Sequence, residues 1–499
     1  MVCTVDHRAV AAGVETLRAG GTAADAAIAA NAVLAVTAQH MCGLGGDLFA
    51  LVYSPGERTP AALNASGRAG SGADPERLRA EGRTAIPLTG DIRAVTVPGC
   101  VDGWVALHER FGRLPLREIL EPARRYATGG FAATPLLAAK AAELAGVRDA
   151  DDYVSQGQLR AGDVVRRPGV ARTLAAIADH GRAGFYGGEF GERLLALGGG
   201  EYREEDLARP NADWVEPLSV EAWKRRLWTI PPNSQGYVTL GAAWIAAGFE
   251  LPGDPDDPTW AHLLVEAARQ AAYDRDDVLY EGADGAALIA ADRLAPRRAA
   301  ISADRAAKVG GAHVAGGTAF LCVVDEDGTA VSLTQSNYTG WGSLLVVPEL
   351  RIFLQNRGAA FSLAPGHPAE YAPGRRPPHT LSPLLVTRPD GAFDAVLGTM
   401  GGDSQPQILL QLLARRYVAG QDPGEALAAA RWVLAPSTVA VEAHAPDAWF
   451  TGLAARGHDV VRHLSWAYEF GHAHMIVAER DHLAGAADPR ALSGAADGW

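Results

Sequence analysis

Apolar residues recur at helical spacing from position 7 to position 18, stop at Gly20-Gly21, and resume from position 22 to position 38. Two consecutive helices are predicted, the second opened by Thr22 with Asp25 three residues on, the pairing of a capping box. After the Gly43–Gly46 turn the period shortens, and residues 48–53 read as a strand; helical spacing returns over residues 101–144. From about residue 150 to residue 300, amphipathic helical stretches alternate with polar loops such as residues 254–257. No repeat, low-complexity tract or linker marks a domain boundary there. The pattern as a whole is mixed α and β.

The character changes after Arg298. Gly310-Gly311 and Gly316-Gly317 bracket a short segment that leads into residues 319–324, which are apolar without interruption, as in a strand buried on both faces. Glu326-Asp327-Gly328 supplies turn chemistry before a second strand over residues 329–335. Whether the loop is Glu326-Asp327 or Asp327-Gly328, counting back across an antiparallel pair sets Thr318 opposite a residue between Gln335 and Asn337, and so near Ser336.

A threonine at a strand edge behind two glycines is placed to attack the preceding carbonyl in an N-to-O acyl shift, and hydrolysis of the ester would free its amine. An α-amine titrates at about 7.7–8.0, so one residue then serves as nucleophile and general base. By composition alone the structural reading wins, because β-branched residues favour strands.

A formal net charge of -13 and a pI near 5.6 speak against a nucleic-acid or anionic-membrane partner and for a small-molecule one. The four cysteines, Cys3, Cys42, Cys100 and Cys322, form no CxxC pair, which indicates reduced thiols. Cys322 reads as a small core residue. Residues 1–6 lack the basic and apolar regions of a secretory signal. The most apolar stretch, residues 23–38, contains Asp25 and Asn31 and is shorter than the roughly 20 residues a bilayer span needs. A cytoplasmic protein is expected. No cofactor is indicated: Gly43-Leu44-Gly45-Gly46 lacks dinucleotide-loop spacing and precedes a strand. His472-Ala473-His474 has no cysteine nearby and reads as structural, so no metal is expected. Asp274-Arg275-Asp276-Asp277 reads as a solvated helix face.

The run Gly316-Gly317-Thr318-Ala319-Phe320-Leu321-Cys322-Val323-Val324-Asp325, with Ala330-Val331-Ser332 beyond the turn, closely resembles the self-processing site of the gamma-glutamyltransferase family. The resemblance extends through Ala24-Asp25-Ala26-Ala27, Val97-Pro98-Gly99, Pro231-Pro232-Asn233 and Asp488-Pro489-Arg490. It implies an α+β N-terminal-nucleophile hydrolase, a four-layer αββα sandwich whose zymogen cuts itself between Gly317 and Thr318. Fragments 1–317 and 318–499 would then stay associated in one intertwined domain; a homodimer is compatible with it. Ser336 falls where the family has a hydroxyl that bonds the nucleophile. Gly401-Gly402 match the family's paired oxyanion glycines. His379 and Thr380 occupy the places of a serine pair that helps hold the substrate carboxylate, and Arg68 resembles the arginine that binds the α-carboxylate, a task suited to a two-pronged donor.

The segment that reads the glutamyl α-amine departs from the family. Ala360 stands where an aspartate pairs with the ammonium, Arg357 replaces Gln or Glu, and Tyr338 replaces an asparagine. A cation beside a substrate ammonium is repulsive. The change favours an acyl group that carries a carboxylate and no α-amine, oxalyl or glutaryl in type, as in divergent relatives with oxamate hydrolase or cephalosporin acylase activity. Two other readings stay open: cleavage of a carbon–carbon bond in a biosynthetic pathway, and an unprocessed, non-catalytic binding relative.

Overall fold

A computed structural model describes residues 1–154, 157–307, 316–435 and 437–499. Gly310-Gly311 lie outside the described residues. Seven strands form one sheet in the order Ala495–Asp497, Val2–Thr4, Gly317–Val324, Ala330–Tyr338, Asp47–Tyr53, Ala61–Ala65 and Asp213–Val215. Six form the other: Leu483–Ala487, Ala473–Ala478, Phe393–Thr399, Leu384–Thr387, Arg225–Thr229 and Leu218–Ala222. Both sheets take strands from both sides of Gly317.

Strand Gly317–Val324 shows why the sheets stack. Phe320, Cys322 and Val324 point into a core shared with Leu385, Val396 and Ile476 of the second sheet. Ala319, Leu321 and Val323 point the other way, into a core with the helices Ala23–Thr37 and Leu116–Gly129. A strand covered on both faces needs no polar alternation. On the far side of the second sheet, helices Gly236–Ala246, Pro258–Ala272 and Gln405–Tyr417 build a separate core. The result is the expected αββα sandwich.

Helix Ala23–Thr37 is buried at every position, and Thr22 and Asp25 close a capping box at its start. All four cysteines are free and buried. No described helix is long and apolar enough to cross a membrane.

Two local expectations change. The hairpin loop has three residues, because Val324 pairs with Ala330 and the Asp325 N–H donates to Thr329 O at 3.0 Å. Gly328, at φ 82°, takes the left-handed position that such a loop requires. The stretch from residue 150 to residue 300 also holds four strands among its described residues, among them the hairpin Leu218–Ala222 and Arg225–Thr229. Its turn residues, Trp223 and Lys224, both have positive φ, at 48° and 59°. Glycine or asparagine normally marks that conformation, so the turn leaves no signal in the sequence.

Candidate active site

A bulge aims the two hydroxyls at each other. The register between the central strands runs from Val324↔Ala330 to Gln335↔Ala319, then shifts so that Tyr338 faces Gly317. Ser336 and Asn337 therefore share the place opposite Thr318, an arrangement that turns a side chain out of the regular pleat. Thr318 Oγ1 donates to Ser336 Oγ at 3.3 Å. Ser336 Oγ donates to the Gly317 carbonyl oxygen at 2.5 Å and accepts the Tyr338 N–H at 2.8 Å. The Ser336 hydroxyl thereby uses its one donor and both lone pairs. Thr318 and Ser336 are both buried.

The Gly43–Gly46 turn brings Asp47 alongside, paired in register with Ser336. A side chain on Gly46 would collide with the Ser336 carbonyl oxygen. Asp47 is fully buried, and its Oδ1 accepts from Gly67 N at 2.8 Å, Gly99 N at 3.2 Å and Gln355 Nε2 at 2.9 Å. Its Oδ2 lies 3.2 Å from His379 Nε2, while His379 Nδ1 accepts the Leu381 N–H at 3.3 Å. That pattern places the imidazole proton on Nε2. Burial, with Arg357 nearby, lowers the His379 pKa to about 3 and keeps the ring neutral. His379 borders the cavity described below, but both its nitrogens are used inside the protein.

Strand Phe393–Thr399 ends at the paired glycines, and helix Gln405–Tyr417 follows shortly after. Gly401 and Gly402 have φ of 139° and 56°, which only glycine adopts without strain. A Cβ on Gly316 would stand 3.0 Å from Gly402 Cα and 3.4 Å from Gly402 N, so the glycine turn lies against the Gly316-Gly317 segment. Gln235 braces it: its Nε2 donates to Gly402 O and to Thr380 O, each at 2.9 Å. Arg275 in turn donates to Gln235 Oε1 at 2.9 Å and pairs with Asp403 at 2.6 Å.

A cavity of about 300 Å³ opens beside these groups, lined by Arg275, Leu279, Tyr338, Arg357, Phe361 and Thr380 among others. Arg357 starts the short turn Arg357–Ala360 and is buried. Its guanidinium carbon stands 3.9 Å from the centre of the Tyr338 ring, and Nη2 donates to Thr380 Oγ1 at 3.2 Å. Among the described residues, Nε and Nη1 have no hydrogen-bond partner and no carboxylate pairs with this side chain. Burial lowers its pKa to about 10, which leaves it cationic at neutral pH. A buried cation with unused donors facing a cavity is suited to an anionic ligand.

Arg68 is not among the cavity-lining residues. Its guanidinium is held by Glu281 at 2.5 Å, Asp213 at 3.2 Å and Gly374 O at 3.1 Å. Two of the protein's own carboxylates occupy it, so Arg357 is the arginine that meets the cavity with open donors. Arg275, expected on a solvated face, instead lines the cavity, because Asp403 and Gln235 draw it inward. Asp47, Gln235 and Gln405 had no motif to mark them; for Asp47 the one signal was a carboxylate at the head of an otherwise apolar strand.

Among the described residues, one group has ligand-capable atoms close together: His262, Glu266 and His458. His262 Nδ1 and His458 Nε2 share a hydrogen bond of 2.7 Å, and Glu266 holds the Ala307 N–H at 2.9 Å and Arg269 at 3.3 Å. A proton fills this cluster, and Arg269 balances its one carboxylate.

The gamma-glutamyltranspeptidase family model matches residues 9–498. Oxamate amidohydrolase proenzyme of Klebsiella pneumoniae is 36% identical, over 100% of this chain and 98% of its own. The glutathione hydrolase-like YwrD proenzyme of Bacillus subtilis is 34% identical, over 98% of this chain and 97% of its own. Among solved structures, cephalosporin acylase from Bacillus halodurans superposes with a TM-score of 0.93 at 35% identity, covering 100% of this chain and 95% of that one. A match of this extent, on a sandwich that buries the Thr318 hairpin at its centre, makes the chain an enzyme of the gamma-glutamyltranspeptidase family of N-terminal-nucleophile hydrolases.

Proposed function

We propose that this chain is a zymogen that cuts its own Gly317–Thr318 bond and then hydrolyses amides through an acyl ester on Thr318. The observation that carries the reading is the run of hydroxyls from Thr318 Oγ1 to Ser336 Oγ to the Gly317 carbonyl oxygen. Ser336 polarises the carbonyl that Thr318 Oγ1 attacks. The C–N bond breaks as the new C–Oγ1 bond forms, the proton passes to nitrogen, and water then hydrolyses the ester to release the Gly317 carboxylate.

The freed amine, with an ordinary pKa of about 7.7–8.0, takes the Thr318 hydroxyl proton in later turnovers. Gly402 lies against the reacting segment, and it and Gly401 supply backbone donors for the oxyanion. Leaving amine and acyl group part in turn, and water is the acceptor.

For the acyl group, Arg357 favours a carboxylate, and the absence of an acid at Ala360 removes the partner of an α-ammonium. An oxalyl- or glutaryl-type acyl amide fits this pocket better than a γ-glutamyl one. The names of the relatives, oxamate amidohydrolase and cephalosporin acylase, agree with that direction.

A denaturing gel tests the first part: purified wild type should give two fragments and Thr318→Ala one full-length band. One uncut band for both sinks self-processing. Side-by-side assay of γ-glutamyl, glutaryl and oxalyl amides tests the second, and clear preference for γ-glutamyl overturns it.

A further inference from the structure

We propose that Gln405 is a catalytic residue of the deacylation step, its side-chain amide donating to Thr318 Oγ1 as that oxygen leaves the acyl ester. The inference rests on Thr318 being the acylated residue.

Gln405 is the first residue of helix Gln405–Tyr417 and is fully buried. Its Oε1 accepts the Ser382 backbone N–H at 3.1 Å. A backbone N–H can only donate, so that bond decides which end of the amide is oxygen and leaves Nε2 on the side of Thr318. Nε2 lies 3.5 Å from Thr318 Oγ1 and makes no other hydrogen bond among the described residues.

One other side chain among the described residues bonds the Thr318 oxygen. Ser336 accepts from Thr318 and, in the uncut chain, spends its own proton on the Gly317 carbonyl; release of Gly317 frees that proton. Gln235, another buried amide of this region, donates to Gly402 O and Thr380 O. Gln405 Nε2 is a donor aimed at Oγ1 that no other described residue holds. At 3.5 Å the bond to a neutral hydroxyl is long; it shortens when negative charge builds on the oxygen, as bonds to charged acceptors do.

Charge builds there when the ester breaks. Water attacks the acyl carbon and gives a proton to the Thr318 amine. The C–Oγ1 bond then breaks, its electron pair stays on Oγ1, and the ammonium returns the proton to Oγ1. A neutral amide donor stabilises the departing oxygen without a competing proton of its own. During acylation the same donor withdraws density from the attacking lone pair, which offsets its benefit to the alkoxide. Its effect is therefore concentrated in deacylation.

The test compares wild type with Gln405→Met, which keeps the length and loses the donor, using whichever of the three acyl amides wild type turns over. The expected result is a kcat lower by about tenfold or more, as for other lost donors at a reacting oxygen, with kcat/KM within about threefold. Intact mass should then show the acyl group accumulating on Thr318 of the 318–499 fragment, which a purely structural defect would not produce. An unchanged kcat, or kcat and kcat/KM falling together with no acyl species, overturns the proposal. If Gln405→Met fails to cut itself, hydroxylamine decides: cleavage at Gly317 reveals a stalled ester and supports the role, whereas a resistant amide bond overturns it. Acylation of wild type at some residue other than Thr318, seen on rapid quenching, would instead remove the parent reading.

Discussion

Ser336 donates to the carbonyl oxygen of Gly317 at 2.5 Å, across a bulge that lets two residues of one strand face a single residue of the next. The same hydroxyl receives Thr318 and the Tyr338 N–H, so no atom of it is free to turn away. Ser336→Ala should slow the appearance of two fragments by on the order of a hundredfold, the usual effect of removing one donor at a reacting carbonyl. Ser336→Thr, which keeps the hydroxyl, should restore most of the rate. Time-resolved gels of freshly translated protein measure both; equal rates for Ser336→Ala and wild type would remove Ser336 from processing.

Arg357 is buried with two unused donor atoms, and its stacking on Tyr338 holds the guanidinium in place. Arg357→Met keeps the bulk and removes the charge. Loss of a buried, charge-assisted contact to a carboxylate is worth about 2–5 kcal/mol, or roughly 30- to 4000-fold in kcat/KM. That loss should appear for oxalyl or glutaryl amides and be much smaller for an uncharged acyl amide. Similar losses on both substrates would mean that Arg357 supports the fold and does not read the acyl group.

Asp47 accepts three donors on one oxygen and lies beside His379 with the other. Asp47→Asn puts an amide donor where only donors converge, leaving buried N–H groups unsatisfied at about 1–3 kcal/mol each. Denaturant unfolding should show a loss of several kcal/mol, and the uncut precursor should accumulate because the Asp47 strand registers with Ser336. Wild-type stability with normal processing would contradict the role given to this carboxylate.

His474 is buried in the strand Ala473–Ala478 with neither ring nitrogen hydrogen-bonded, and its ring stacks on Phe320 at 6.3 Å. Burial lowers its pKa to about 3, against an unfolded value near 6.5. Between those values the unfolded chain binds a proton that the folded chain does not, so stability falls as pH falls from about 6.5 and is level above it. His40 and His379, also near 3, and His472, near 4, act in the same sense. His474→Phe should therefore raise the melting temperature more at pH 5 than at pH 8. An equal shift at both values would show that proton binding at this site does not contribute.

The hairpin was legible because its information is local. Six apolar residues, a turn with glycine in its third place and a period of two suffice to put Ser336 across from Thr318, and an error of one in the loop moves the partner by only one residue. The capping box at Thr22 and Asp25 was legible for the same reason. The Trp223-Lys224 turn was not, because its residues carry no mark of the conformation they adopt. Arg275 misled because a charged helix segment looks alike whether its arginine meets solvent or, as here, Asp403 and Gln235 from distant segments.

Sequence alone thus determined the class of fold, the Thr318–Ser336 pair and the replacement of an acid by Ala360 beside Arg357. The pair rests on spacing within one hairpin; the sandwich and the lost acid rest on the resemblance to the family. Tertiary structure alone decided that Arg68 is occupied by Glu281 and Asp213 while Arg357 keeps open donors, that burial keeps His379 neutral beside Asp47, and that Gln405 reaches Thr318. A hydrogen bond between remote segments imposes no period on the chain. Whether a charge is spent or available depends on which segments fold against it.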